Sequence, residues 1–168
     1  MTLGEVQTRR AHPEDAQAIA LAHLDSIRSI GPTFYPSDVV EAWGSGVTPD
    51  IYVKAMEDGE AFFIATGHID GQPVVLGFST HRVDDAQDGA SVYVRGGVAR
   101  RGIGTALLRL AEAHALAHGA RTIQIQASLA GVAFYKANGF EEINRGEALL
   151  MSGRSMPCVF MRKRLTAE

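Results

Sequence analysis

The chain has 168 residues, 46% of them hydrophobic and 21% charged, with a formal charge of -3 and one cysteine, Cys158. That balance describes one globular domain of residues 1–168 with a core of its own, and it excludes disorder, a disulfide framework and a cysteine zinc cluster within the chain. The charge offers no global attraction for nucleic acid or a membrane surface, and no apolar run approaches the ~20 residues of a span, so the expected location is the cytoplasm.

The opening stretch becomes charged too soon for a signal peptide. "EVQTRRA" reads as a short first strand. "HPEDAQAIALAHLDSIRSI" reads as a helix: Pro13 suits its first turn, Glu14 and Asp15 suit its positive end, and Ala16, Ile19, Ala20, Leu24 and Ile27 form a stripe. Gly31-Pro32 stops it. "PSDVVEAWG" predicts a short helix capped by Ser37 or Asp38 and ended by Gly44, and "TPDIYVKAMEDG" another, capped by Thr48.

The pattern then changes period. "EAFFIATGHI", "QPVVLGFSTHRV" and "GASVYVRG" are β-rich runs, separated by the turns "IDGQ" and "DDAQDG", which predicts an antiparallel meander. "TALLRLAEAHALAHG" is helical, with Ile103, Leu107, Leu110, Ala111 and His114 on one face. "RTIQIQAS" alternates as a strand, "AGVAFYKAN" is a short helix, and "FEEIN" and "PCVFMRKRL" supply the last strands. The order βααα–βββ–α–β–α–ββ predicts an α/β fold: a mixed, mostly antiparallel twisted sheet of about seven strands flanked by helices.

Between the meander and the long helix lies "GVARRGIG". A Walker loop fails here, because Ile103-Gly104 stands where lysine and a hydroxyl are required. The dinucleotide fingerprint fails at Leu107, its third glycine position. What remains is Gly102-Ile103-Gly104-Thr105 at a helix start behind Arg100 and Arg101. The free N–H groups and dipole of a first turn bind anions there, and a pyrophosphate held but not cleaved suits the absence of a metal motif. A tight turn with two solvated arginines is the bland alternative.

"VYVRGGVARRGIGTALLRLAEAHA", followed by "IQIQASLAGVAFYKANGF", resembles the acetyl-CoA-binding core of the GNAT family of N-acetyltransferases. The pattern [Q/R]-x-x-G-x-[G/A] and the later Phe-Tyr-x-x-x-Gly-Phe carry the resemblance, which with the element order covers nearly the whole chain. "DSIRSIGPTFYPSDVVEAWG" is also similar to one branch of small bacterial members. Two positions depart from the family: Ala99 stands at its Gln/Arg position, and Ala130 where asparagine is common.

The resemblance implies acetyl transfer from acetyl-CoA, a cosubstrate, to a primary amine of a small molecule or protein, with no metal. It implies cofactor contacts along Val92, Tyr93 and Val94, at Arg100 to Thr105, and at Phe134, and an acid, Tyr135, that protonates the leaving thiolate. An ordinary core aromatic beside Phe134 is the competing reading of Tyr135. For a base, Asp88 and His81 are candidates, and attack without a side-chain base is a third possibility. Phe34, Tyr35 and Trp43 are candidates for the acceptor pocket or for a hydrophobic cap on the sheet, as are Tyr52 and Met56. His23 and His114 read as satisfied core or boundary residues. A homodimer is compatible with these features. A non-catalytic acyl-CoA sensor of the same fold is the competing reading.

Overall fold

In a computed structural model that describes residues 1–166, seven strands and five helices follow one another in the expected order. They are β1 (Gln7–Arg10), α1 (Ala16–Ile30), α2 (Ser37–Ser45), α3 (Pro49–Glu57), β2 (Ala61–Ile69), β3 (Gln72–Asp84), β4 (Gln87–Val94), α4 (Ile103–Ala117), β5 (Thr122–Ser128), α5 (Val132–Ala137), β6 (Glu141–Leu149) and β7 (Ser155–Arg164). The strands form one sheet in the order β1-β2-β3-β4-β5-β7-β6. Every neighbouring pair is antiparallel except β4 and β5, which run parallel.

Alternation along the strands divides the core into two layers. On one face Phe62, Ile64 and Phe78 pack under α1 and α3 against Ile19 and Tyr52. On the other, Ile123, Val159 and Met161 pack with Leu108 and Ala115 of α4, and Tyr135 of α5 joins them. Ser79 follows the same rule: its hydroxyl donates to the Leu107 carbonyl on α4 at 2.8 Å.

Four local expectations need correction. The first helix begins with a tight turn at Pro13–Asp15, where the Asp15 carboxylate accepts the His12 N–H at 2.8 Å and both ends of the Arg9 guanidinium. Gly44 does not end α2, and neither Ser37 nor Asp38 caps it, since Pro36 stands at that position. A Cβ on Gly44 would lie 3.4 Å from Leu24 of α1, an ordinary packing contact. The turn in "DDAQDG" is only Asp85-Ala86, both with positive φ as a two-residue hairpin of this twist requires. Asp88 therefore lies in β4, opposite Val83. Finally, β6 runs past "FEEIN" to Leu149, paired with β7 as far as Ser155. It is an edge strand exposed along most of its length, so no alternation of apolar residues marks it.

Candidate active site

Strands β4 and β5 share one register point, Gly89↔Gln124, near the beginning of both strands. Among the described residues no further pairing joins them toward Val94 and Ser128. Parallel strands that part in this way leave backbone N–H groups of β4 without their ladder partners, and a buried N–H needs one. The Tyr135 side chain supplies it: the Val92 N–H donates to the Tyr135 hydroxyl at 3.1 Å. Tyr135 lies on the six-residue α5 and packs edge-on against Phe140 just beyond it, 5.5 Å from its own ring. Burial pushes the Tyr135 hydroxyl well above the usual tyrosine range, with the Tyr93 hydroxyl adding to the effect. It is protonated throughout the neutral range.

The loop after β4 enters α4 by a left-handed step. Arg100 has φ +63° and Gly102, the residue before the helix, φ +84°. The first helical bond is Ala106 N–H to the Gly102 carbonyl. The N–H groups before it face the loop, as at any helix start. Arg100, Arg101 and Gly102 are exposed, so this end of α4 is open to an anion. Gly104 answers a separate demand: a Cβ there would meet the Phe134 ring at 3.0 Å. Behind the loop, Gly96 is pinned to α1, its N–H donating to Asp25 at 2.9 Å, and a Cβ on it would overlap Ser29. The loop thus sits on a braced base.

On the α1 face of the opening stands an aromatic group. Tyr35 and Trp43 are 5.9 Å apart edge-on, and Trp43 and Tyr93 6.4 Å apart. Tyr35 is anchored: its hydroxyl donates to the Pro157 carbonyl at 2.6 Å and accepts the Leu129 N–H at 2.9 Å. Phe34 lies apart from this group, 45% exposed. Tyr93 lies tilted against the His23 ring, the two centroids 4.2 Å apart, and burial raises its hydroxyl to about 12. His23 holds the Tyr52 hydroxyl at 2.7 Å through Nδ1, while its buried Nε2 has no partner among the described residues. Burial lowers the His23 pKa to about 4, so it is neutral. It is a core residue only half satisfied, which its place on an apolar helix face does not reveal.

The two base candidates lie together on the α4 face. His81 Nε2 bonds Asp88 at 2.7 Å, and His81 Nδ1 meets His114 Nδ1 at 2.8 Å. The His81 ring thus bridges Asp88 and His114, and one proton lies between the two facing Nδ1 atoms. Burial, with His118 and His81 nearby, lowers His114 to about 4. Among the described residues no three His, Cys, Asp or Glu side chains gather as a metal requires. Concavities flank the sheet. A larger one of about 420 Å³ lies over β2 near His68 and Val74, remote from the opening. A smaller one of about 210 Å³ lies at the joined end of β4 and β5, between Arg82, Gln124, Gln126 and Phe160.

Residues that sequence reasoning passed over are Asp25, Glu60, Thr80 and Ser91. The last two are visible as alternate positions of β3 and β4. Their shared face is set by the register Thr80↔Ser91, which the sequence does not display.

A family model described as an acetyltransferase (GNAT) domain matches residues 58–142. Solved structures align over nearly the whole chain. A GCN5-related N-acetyltransferase from Rhodopseudomonas palustris is 25% identical, with 98% of this chain and 99% of that one covered and a TM-score of 0.81. PaiA N-acetyltransferase from Thermoplasma acidophilum, in complex with coenzyme A, is 17% identical over 96% and 99%, with a TM-score of 0.73. YncA from Salmonella typhimurium, with its cofactor acetyl-CoA, is 18% identical over 97% and 95%, with a TM-score of 0.68. No curated protein matches the sequence.

Proposed function

The chain belongs to the GNAT acetyltransferase family, and from that premise we propose that it transfers the acetyl group of acetyl-CoA to a primary amine. The observation that carries this reading is the meeting of Val92 N–H and Tyr135 hydroxyl where β4 and β5 part. Attack on a thioester needs a donor for the developing oxyanion and a proton for the departing sulfur. The opening holds one candidate for each, in contact with one another. An acetyl group entering there takes the Val92 N–H for its carbonyl oxygen and leaves the Tyr135 hydroxyl free to face sulfur.

The open start of α4, with Arg100 and Arg101, is the seat for the pyrophosphate, and Val92 to Val94 for the pantetheine arm. Phe134, against Gly104, walls the passage between the two. The acceptor enters from the other face, past Trp43 and Tyr93, with Tyr35 fixing the rim. Its amine, with a pKa of about 10.4 for an alkyl ammonium, is free in about one molecule in a few thousand at pH 7. A small molecule or a protein amine fits this scheme, in a soluble enzyme of the cytoplasm.

The test is a thiol-release assay with acetyl-CoA and a panel of amines, polyamines, amino acids and peptides. Release that depends on one class of amine supports transfer and names the class. Tight acetyl-CoA binding with no release across the panel supports the sensor reading instead.

A further inference from the structure

Three strands carry a row of polar side chains across the α1 face, and nothing in the scheme above employs it. Glu60 stands one residue before β2. The register Ala61↔His81 sets it opposite Arg82, and Phe62↔Thr80 sets Thr80 diagonal to it. The neighbouring pair is Thr80↔Ser91, whose hydroxyls bond at 2.8 Å with either able to donate. Phe62 packs under α1 and α3, so alternation puts Glu60, Thr80 and Ser91 on that face and His81 on the opposite one. Thr80 is 2% exposed, whereas Glu60 and Ser91 are half-buried. The row ends at Ser91, whose next residue is Val92, the N–H donor of the opening.

A cross-strand hydroxyl pair is ordinary sheet packing. A carboxylate closing the row at its far end is not required by packing. Burial raises the Glu60 carboxyl, while Arg82 and the Thr80 hydroxyl pull it back. Arg82 is itself bonded to Asp84 at 2.9 Å. Asp88, the other carboxylate near β4, is turned toward His81 and α4, away from the acceptor's side.

We propose that Glu60 is the terminal proton acceptor of a hydroxyl relay, from Ser91 through Thr80, that deprotonates the incoming ammonium. This rests on the acetyl-transfer reading. One ammonium proton passes to Ser91 Oγ as the Ser91 proton passes to Thr80 Oγ1 and the Thr80 proton to the Glu60 carboxylate. The freed lone pair attacks the thioester carbon and forms the C–N bond. Collapse breaks the C–S bond, and Tyr135 gives its proton to sulfur. The nitrogen's second proton restores the Tyr135 hydroxyl, and Glu60, half-buried, returns its proton to water. Glu60 is a positioning and relay residue, because Ser91 alone touches the amine.

The test uses methylamine, phenethylamine, spermidine and an alanyl peptide as acceptors, taking the fastest with the wild type. Glu60→Gln keeps an acceptor for the Thr80 hydroxyl and removes the base. We expect kcat/KM for the amine to fall about 30- to 100-fold at pH 7, with the KM for acetyl-CoA unchanged. The deficit should shrink as pH rises and free amine becomes abundant, which a merely structural loss would not do. Arg82 and Asp84 share the face of Glu60, and His81 acts on it from the opposite face of the sheet, so Asp84→Asn and Asp88→Asn serve as controls that keep the pH dependence. Thr80→Val should match Glu60→Gln, and the double variant should be no worse than either. If Thr80→Val does not fold, Ser91→Ala replaces it. A deficit independent of pH, wild-type rates in Glu60→Gln, or a flattened profile in Asp88→Asn alone would overturn the relay and leave transfer standing. No release from the wild type with any of the four amines would overturn both.

Discussion

The Val92 N–H and the Tyr135 hydroxyl, 43 residues apart in sequence, are hydrogen-bonded at 3.1 Å in the gap between β4 and β5. Tyr135→Phe therefore does two things. It removes the acid, and it leaves a backbone donor without a partner. The second effect costs about 1–3 kcal/mol where water cannot reach. The first lowers kcat by about 10²-fold, the low end for a general acid. The low end is expected because a thiol of pKa about 8.5 leaves without much help, and the raised Tyr135 pKa makes full proton transfer uphill. Thermal denaturation and single-turnover rates separate the two effects. An acetyl donor with a more acidic thiol should show a smaller rate deficit. An unchanged rate where chemistry is limiting would make Tyr135 a packing residue.

Gly102 and Gly119 have nearly the same backbone, φ +84° and +92°, and a Cβ on either meets nothing within 4 Å. Replacing each by alanine imposes a similar strain of about 1–2 kcal/mol. Only Gly102 borders the helix start assigned to the pyrophosphate. Calorimetry should show acetyl-CoA affinity reduced tenfold or more in Gly102→Ala and unaltered in Gly119→Ala. Equal affinities in the two variants would move the cofactor away from this loop.

Arg100 and Arg101 are both exposed, and no ion pair engages them among the described residues. Arg100→Ala with Arg101→Ala should weaken CoA about tenfold, dephospho-CoA less, and pantetheine hardly at all. The CoA deficit should diminish at high salt, since exposed charges are screened. A uniform loss across the three ligands would show that the arginines only solvate the turn.

Much of this architecture is legible in the sequence, for reasons that differ by element. The alternation in "RTIQIQAS" and the stripe through Ile19 and Ile27 report burial on one side, and burial is what the sheet imposes. The glycines at 102 and 104 stand out because their reasons are local. One adopts a left-handed φ, and the other meets a ring thirty residues on. The hairpin between β3 and β4 is legible in "DDAQDG", but its narrowing to Asp85-Ala86 is not, because Ala86 stands where such a turn favours glycine. The row Glu60, Thr80, Ser91 and the pairing of His81 with Asp88 depend on register between strands, which no single segment encodes. Tyr135 was legible as a residue through its resemblance. Its contact with Val92 arises from the parting of β4 and β5, a property of the whole sheet.

His23 links the aromatic group to stability. Its folded pKa, about 4, lies below the 6.5 of an unperturbed histidine. The unfolded chain thus binds the proton first, and stability, complete above pH 6.5, falls as pH drops toward 4. The loss by pH 4.5 is on the order of 2–3 kcal/mol from this residue. His114 shifts in the same direction and contributes to the same window. Urea unfolding at pH 7 and 4.5 checks this. His23→Gln, which can still bond the Tyr52 hydroxyl, should be less stable at pH 7 yet lose less on acidification. An equal decline in wild type and variant would assign the acid sensitivity elsewhere.

The most direct measurement follows the acetyl carbon itself. Acetyl-CoA labelled with ¹³C at the carbonyl is mixed with the ¹⁵N-labelled protein, and both nuclei are observed before and after an amine is added. Binding should shift the Val92 amide, as it exchanges Tyr135 for the thioester oxygen. Addition of the amine found in the thiol-release screen should convert the thioester carbon signal to an amide signal, faster than in Tyr135→Phe. A Val92 amide unmoved at saturating acetyl-CoA, with the thioester signal persisting beside every amine, would contradict both the site and the reaction.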